Sequence, residues 1–476
     1  MTLIGRSKEQ NEIRGFLGSG KAEFVVVYGR RRVGKTYLVS EFFHDRFSFH
    51  ATGLSAGRMA EQLSAFDVKL AEYGLEIDGP SKSWIEAFTR LKALLSRSNV
   101  TRDGEHGRRI VFIDEMPWFD TPKSGFKAAL EFFWNDWASR QSDLMLIVCG
   151  SATSWVAKNL LESKGGFYNR VTRIMDLQPL TPNECRNFFE SKGITFTPEQ
   201  LVECSMIFGG IPFYLDLLDR SKSLAQNVDD LCFGGGQLHR EFERVFSTLF
   251  KHPEAYMKVV RALSGKRAGM TRKDLRKIRG FEGSRLTTVL DDLEKCGFVR
   301  RYRDFAKHTR DSLYQLVDPF TLFHLRFIEP GRIDSWVKYV GSPGYNAWCG
   351  IAFEMFCLNN IELIKGALGI SGIQTGVCAW RSKEHNPGAQ IDLLIDRADN
   401  VVNVCEMKFS RSEFSINAGY ERDLRNKVEA FEQETNPRKA LHLTMITMNG
   451  VKRNAHSDSI VQNEVRIADL IRRYRP

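Results

Sequence analysis

Gly29-Arg30-Arg31-Arg32-Val33-Gly34-Lys35-Thr36 follows the apolar run Phe24-Val25-Val26-Val27-Tyr28 directly and opens the amphipathic stretch Tyr37-Leu38-Val39-Ser40-Glu41-Phe42-Phe43. The octapeptide fits G-x-x-x-x-G-K-[ST], and the order strand, glycine-rich loop, helix is the context that motif requires. The chemistry explains the residue types. Gly29 and Gly34 let main-chain N–H groups from Arg30, Arg31, Arg32 and Val33 turn inward around phosphate oxygens. The first helical turn, Lys35-Thr36-Tyr37, adds the positive end of its dipole. Lys35 would reach the β- and γ-phosphates, and the Thr36 hydroxyl would ligate Mg²⁺. The expected ligands are ATP and Mg²⁺.

Two further apolar runs, Ile110-Val111-Phe112-Ile113 and Leu144-Met145-Leu146-Ile147-Val148, read as strands of the same parallel sheet, buried on both faces. The first ends in Asp114-Glu115. Asp114 is the expected second Mg²⁺ ligand, and Glu115 is placed to orient or deprotonate the attacking water. The other reading is two solvated acids at a strand end. The second run ends in Cys149-Gly150-Ser151, where Ser151 is the candidate γ-phosphate sensor. Arg170 reads equally as an arginine finger, a tether or a surface arginine. Pro212, in Gly209-Gly210-Ile211-Pro212, either packs on adenine or marks a helix boundary.

Together these residues resemble the STAND/AAA+-type P-loop ATPases, in the branch abundant in archaea. Ile4-Gly5-Arg6-Ser7-Lys8-Glu9 resembles that family's adenine-side motif, Asp114-Glu115-Met116-Pro117-Trp118 its Walker B segment, and Gly210-Ile211-Pro212 its lid motif. The resemblance covers residues 1–250 and implies a parallel-sheet ATPase domain with a helical lid, assembling into a homo-oligomer.

The pattern changes at about 250. Three helical stretches follow: Pro253 to Ser264, Arg272 to Ile278 capped by Thr271, and Arg285 to Cys296 capped by Ser284 and ended by Gly297. A strand pair around Val299–Tyr302 and Ser312–Leu316 completes what resembles a winged helix-turn-helix over 251–330. In a DNA reader Arg285, Thr287 and Thr288 would face the groove and Arg300, Arg301 and Arg303 the phosphates. Asp291, Asp292 and Glu294 on the same helix would repel DNA, so a packing or oligomerisation module is the other reading.

Residues 331–476 carry a second chemical constellation. Gln390 to Asp396 and Val401 to Lys408 read as a hairpin, and Glu406 and Lys408 share a face. With Asp396 opposite Val401, Asp392 comes within a rung or two of Glu406, close enough for both to hold one metal ion. Two carboxylates and a lysine suit metal-dependent phosphodiester cleavage. The set resembles the PD-(D/E)xK nucleases, a C-terminal α/β restriction-endonuclease-like domain. That resemblance adds Glu354 upstream as a catalytic glutamate and Lys427 as support, and implies DNA processing or defence. E-x-K by itself also marks an ordinary solvated strand face.

The bulk numbers agree with this organisation. The chain has 476 residues, 42% hydrophobic and 26% charged, enough for two to four domains. The net charge of +10 favours an anionic partner such as nucleic acid over a membrane surface. Apolar stretches are too short for a transmembrane helix, and Met1 to Gln10 lacks the pattern of a signal peptide. Nine cysteines without a C-x-x-C pair imply a reducing, cytoplasmic setting, with Cys149 and Cys405 as core thiols.

Overall fold

The computed structural model describes residues 3–151, 153–161, 169–278, 280–281, 285–305, 312–382 and 388–471. Ser284 lies outside the described residues, as does the Arg303 side chain. The chain divides into two compact units, Met1–Pro179 and Leu180–Pro476. That partition is coarser than the three expected segments, and the helices expected as a lid fall in the second unit.

The first unit is built on five parallel strands, β1 (Glu23–Tyr28), β2 (Phe49–Thr52), β3 (Arg109–Asp114), β4 (Leu144–Gly150) and β5 (Arg173–Asp176), in the order β2-β3-β4-β1-β5. Every residue of β3 and β4 is buried, as the continuous apolar runs require of a sheet covered on both faces. One face packs on an aromatic cluster of Phe49, Phe66, Trp84, Phe88, Phe119 and Phe126. Each such ring stabilises the fold by about 1.5–3 kcal/mol in surface removed from water. The register sets Val27 beside Cys149 and Ile113 beside Val148. The P-loop, Asp114 and Ser151 therefore emerge together at the carboxyl edge of the sheet, where open α/β sheets bind ligands.

The second unit begins with short helices whose starts are written locally. Thr181 with Glu184, Thr197 with Gln200 and Ser223 with Gln226 form capping boxes, the first two followed by proline at the first helical position. Pro212 opens the helix Pro212–Asp216, after Gly209 and Gly210 at φ 69° each. A β-carbon on Gly210 would meet the Leu180 carbonyl oxygen at 2.3 Å, so no other residue fits that turn.

The helices Pro253–Ser264, Arg272–Leu275 and Arg285–Lys295 follow, the middle one shorter than expected. Strands β6 (Met270–Thr271), β7 (Val299–Asp304) and β8 (Leu313–Leu316) come next. They continue into β9 (Thr375–Arg381), β10 (Gln390–Arg397), β11 (Val401–Lys408), β12 (Ala440–Thr447) and β13 (Asn463–Arg466), one sheet of order β13-β12-β11-β10-β9-β7-β8-β6. The junction is a short parallel pairing of Arg303 and Asp304 with Cys378 and Ala379. The expected boundary near 330 is thus bridged by main-chain hydrogen bonds.

Glu354 lies on the first of two helices, Pro343–Asn359 and Ile361–Ala367, bent by 77° to one another. Among the described residues no single helix is long and apolar enough to cross a membrane. This bent pair meets the criteria only jointly, and its Trp348, Cys349, Phe353 and Phe356 are buried in protein.

Candidate active sites

In the first unit the loop after β1 holds its shape through positive φ at Gly29 (142°), Arg32 (70°) and Gly34 (87°). Gly29 is obligatory, because a β-carbon there would lie 2.3 Å from the Leu177 carbonyl oxygen. Lys35 begins the helix Lys35–Phe43, and its Nζ donates back to the Gly29 and Arg30 carbonyls at 3.0 Å each. Burial pushes the Lys35 ammonium below its ordinary range, against the pull of Glu115 and Asp114. Arg6 is buried and donates to the Val33 carbonyl at 3.1 Å, so the N-terminal Gly5-Arg6-Ser7 segment is fastened to the loop itself. Tyr37, at the start of the helix, is exposed.

The Walker-type carboxylates are pre-oriented. The Thr36 hydroxyl donates to Asp114 Oδ2 at 2.9 Å, and the Glu115 N–H donates to Asp114 Oδ1 at 2.8 Å. The Cys149 thiol also donates to Asp114 Oδ1. Burial, and then the facing Asp114, push the Cys149 thiol far up, so it remains protonated as a donor. A hydroxyl and a carboxylate in direct contact beside a buried ammonium are the donor set that fits Mg²⁺ on a triphosphate.

Glu115 sits at φ 45°, and its carboxylate accepts from the Ser151 N–H at 3.1 Å and from the Ser151 hydroxyl. Sequence reasoning assigned these two residues separate roles, but the fold makes them partners. Arg170 is exposed, three residues before β5, and nothing in its surroundings distinguishes a finger from a surface arginine. Pro212 lies in the second unit and opens a helix there, as its reading as a helix boundary required.

The second unit brings Glu354, Asp392, Glu406, Lys408 and Lys427 to one cleft of about 600 Å³. The hairpin register differs by one residue from expectation: Asp396 stands opposite Val402, not Val401. The loop between β10 and β11 is Ala398 to Asn400, with Asn400 at φ 64°, a three-residue turn closed by an asparagine in the left-handed region. Leu393 is opposite Cys405, so one step further Asp392 shares a rung with Glu406. A bulge between β9 and β10 falls at Ile391–Leu394, around Asp392 itself, and bulges of this kind re-aim side chains.

Glu406 accepts from Tyr420 Oη at 2.6 Å and Lys427 Nζ at 2.7 Å, with Lys408 Nζ at 3.0 Å. Burial alone would raise its carboxyl, but Lys427, Lys408 and Tyr420 outweigh burial and hold it below the usual range. Glu354 goes the other way. Burial, with Asp392 and Glu406 nearby, pushes it up to about 7 despite Arg267. Tyr420 and Lys427 are seven residues apart on the helix Ala418–Thr435, two turns on one face, a spacing that sequence could have flagged.

Arg267 is the residue sequence reasoning missed. It lies in the turn after the helix Pro253–Ser264, and its Nη2 contacts Glu354 and, at 3.1 Å, Asp392 Oδ2. The turn is pinned: Gln315 Nε2 donates to the Arg267 carbonyl at 2.8 Å, and Tyr302 Oη donates to the Ala268 carbonyl. A guanidinium bridging two carboxylates is a stand-in cation. It shows that the donor set attracts positive charge where a metal ligated by Asp392 would sit.

The expected phosphate-facing role of Arg300 is overturned. Its guanidinium donates to the Leu358 carbonyl at 2.8 Å and Gln315 Oε1 at 2.9 Å, and burial lowers it to about 10. Asp292, expected to repel DNA, points inward and accepts from Tyr256 Oη at 2.8 Å.

Comparison with known proteins agrees with the geometry of the first unit. Residues 3–218 match the family model of an ATPase domain predominantly from Archaea. The uncharacterized protein MJECL04 of Methanocaldococcus jannaschii is 25% identical over 366 residues, 74% of this chain and 75% of that protein. The Walker-type ATPase PABY2304 of Pyrococcus abyssi superposes with a TM-score of 0.50 at 18% identity, covering 68% of this chain and 96% of that one. The ORC2 protein of Aeropyrum pernix, solved as ADPNP and ADP complexes, gives a TM-score of 0.42 at 13% identity, over 69% and 95% of the chains. The chain carries a nucleotide-binding P-loop ATPase domain with an α/β parallel sheet.

Proposed function

We propose that this chain is an ATP-hydrolysing protein whose nucleotide state controls a metal-dependent nuclease site in its second unit, acting on nucleic acid, DNA first. In the first unit the observation that carries the reading is the convergence of Lys35, Thr36 and Asp114 at one sheet edge. Lys35 Nζ already bonds two loop carbonyls and would transfer to phosphate oxygens. Glu115 is held by Ser151, and a γ-phosphate that engages Ser151 would compete for those donors and release the carboxylate to water.

In the second unit the carrying observation is Glu406, pre-aimed by Tyr420 and Lys427 across from Asp392. Mg²⁺ held by Asp392 and Glu406 would supply charge neutralisation and an activated water. Lys408 would offset charge developing on the phosphate, and Glu354, with its carboxyl near 7, would exchange a proton at neutral pH. The cleft volume of about 600 Å³ suits a strand of nucleic-acid backbone.

The three helices and hairpin that precede the cleft have the order of a winged helix-turn-helix. Arg285 and Thr288 are exposed on its third helix and are the residues to face DNA, while Arg272 donates to the Thr287 hydroxyl. The C-terminal sheet is read as PD-(D/E)xK-like, and the whole chain as a STAND/AAA+-type homo-oligomer in the cytoplasm. All nine cysteines are free thiols.

The test is cleavage of a panel of single- and double-stranded DNA and RNA with Mg²⁺ or Mn²⁺, with and without ATP. Product that disappears with Glu406→Ala supports the nuclease. One observation favours a second reading, a regulatory ATPase or transcription regulator with a non-catalytic C-terminal fold: Arg267 already fills the acidic site. No product on any substrate, with nucleic-acid binding indifferent to Glu406→Ala, would establish that reading instead.

A further inference from the structure

We propose that Glu243, His324 and Glu329 form a binding site for a divalent transition-metal ion of the Zn²⁺ type, which clamps the helix Glu241–Leu249 to the turn His324–Ile328. The ligand atoms of the three side chains lie within 4.8 Å of one another, a span one ion bridges. None of the three lines the cleft that contains Glu406.

The site rests on two independent observations. The first is the donor cluster. The second is His324 itself: the side chain is 2% exposed, yet neither ring nitrogen has a hydrogen-bond partner among the described residues. Buried polar atoms in folded proteins are almost always paired, so an imidazole left this way calls for a ligand. It is aimed at the cluster, with Nε2 at 3.8 Å from Glu243 Oε1. That separation is too long for a hydrogen bond and suits two donors on one ion. The ring is fixed by stacking on Phe242 at 5.0 Å and 23°, so it cannot swing to another acceptor without losing that contact.

The local backbone explains how the third ligand arrives. His324–Ile328 is a widened turn that extends the helix Pro319–Phe323, and the Glu329 N–H donates to the His324 carbonyl at 2.9 Å. Five residues per hydrogen-bonded loop, rather than four, sets Glu329 beneath His324; such widened turns often mark functional sites. Arg261 donates to Glu329 Oε1 at 2.9 and 2.6 Å, which orients the carboxylate as outer-shell partners of metal ligands do. One imidazole with two carboxylates suits Zn²⁺ and neighbouring ions, with water completing the shell.

The experiment uses the full chain with Glu406→Ala, so that the other acidic cleft does not contribute, stripped of metal and without nucleotide. Zn²⁺ is titrated calorimetrically, and Co²⁺ is used as a spectroscopic probe for an imidazole-nitrogen ligand. One equivalent of Zn²⁺ is expected, with a rise in Tm. Adding Glu243→Gln, at a half-exposed position that tolerates substitution, should weaken binding by at least about tenfold, the loss that even an outer-shell partner causes. Adding His324→Gln should remove the Co²⁺ signature. Absence of a bound equivalent, or an equivalent whose affinity is indifferent to Glu243→Gln, would overturn the site.

Discussion

Removing Arg267 should tighten metal binding at the cleft lined by Glu354, Asp392 and Glu406. Its guanidinium lies 3.1 Å from Asp392 Oδ2 and also contacts Glu354, so an entering cation meets a positive charge already in place. At that distance one pair of unit charges interacts by about 5 kcal/mol at an effective dielectric of ~20 and about 1.3 kcal/mol at ~80. The side chain is 45% exposed, which puts the true value near the lower figure. The net gain on deletion is therefore about 1.5 kcal/mol, on the order of tenfold in Kd. The assay is Mn²⁺ binding by the full chain without nucleotide, followed by electron paramagnetic resonance of the free ion. It should be run well above neutral pH: Glu354 is pushed up to about 7 even with Arg267 beside it, and losing the arginine raises it further. Arg267→Ala should bind about tenfold tighter, and Arg267→Ala with Glu406→Ala should bind no better than Glu406→Ala alone. Unchanged or weaker binding in the single variant would refute the idea that Arg267 and the metal compete.

Three further outcomes follow from the same geometry. Lys35→Ala should abolish ATP binding, measured by retention of a fluorescent ATP analogue, because it removes the buried ammonium that would reach the phosphates. Glu115→Gln should keep nucleotide binding and lose steady-state hydrolysis, whereas Ser151→Ala, which removes the hydroxyl bond to Glu115 and leaves the N–H bond, should retain hydrolysis while loosening the coupling of rate to bound ATP; equal effects of the two would contradict separate roles. For Glu354 the folded carboxyl is raised from 4.5 to about 7, so its contribution to stability is complete below about 4.5 and is lost as pH rises through about 7. A shift of that size corresponds to about 3 kcal/mol. Glu354→Gln should lack the decline in Tm that the metal-free native chain shows between pH 5 and 8.

The sequence announced the P-loop because its chemistry is contiguous: eight residues, a strand before them and a helix after. Asp114 and Ser151 were legible for a related reason, since each ends an apolar run that only a sheet interior explains. What escaped depends on contacts between distant positions. Cys149 looks like any core thiol until the register of β3 and β4 sets it on Asp114. Arg300 looks like a phosphate ligand until the fold buries it on the Leu358 carbonyl. Arg267 stands 125 positions before Asp392, and no local pattern links them. The hairpin was read correctly in kind and one residue off in register, because Asn400 at φ 64° closes a three-residue loop where a four-residue turn was expected. At about 330, hydrogen bonding between β7 and β9 joins two segments that composition separates.

The two acidic sites differ in what a metal must overcome. Asp114 accepts from a threonine hydroxyl, a thiol and an N–H, all neutral, so a cation arriving with a triphosphate displaces a single hydroxyl contact and meets one ammonium, that of Lys35, which the phosphates themselves draw away. Glu406 and its neighbours are already balanced by Lys408, Lys427 and Arg267. A metal entering there must compete with three cations, and the polyanion that would be cut is the partner able to draw them off. Phosphate groups that engage Arg267, and Lys266 beside it on the cleft wall, would uncover Asp392 and Glu354 as they bind. Metal and nucleic acid should therefore bind with positive cooperativity in the second unit, and Arg267→Ala should remove most of that cooperativity while leaving the affinity for metal alone increased. A native chain that binds Mn²⁺ equally well with and without a nucleic-acid strand bearing a non-cleavable backbone would rule out this coupling.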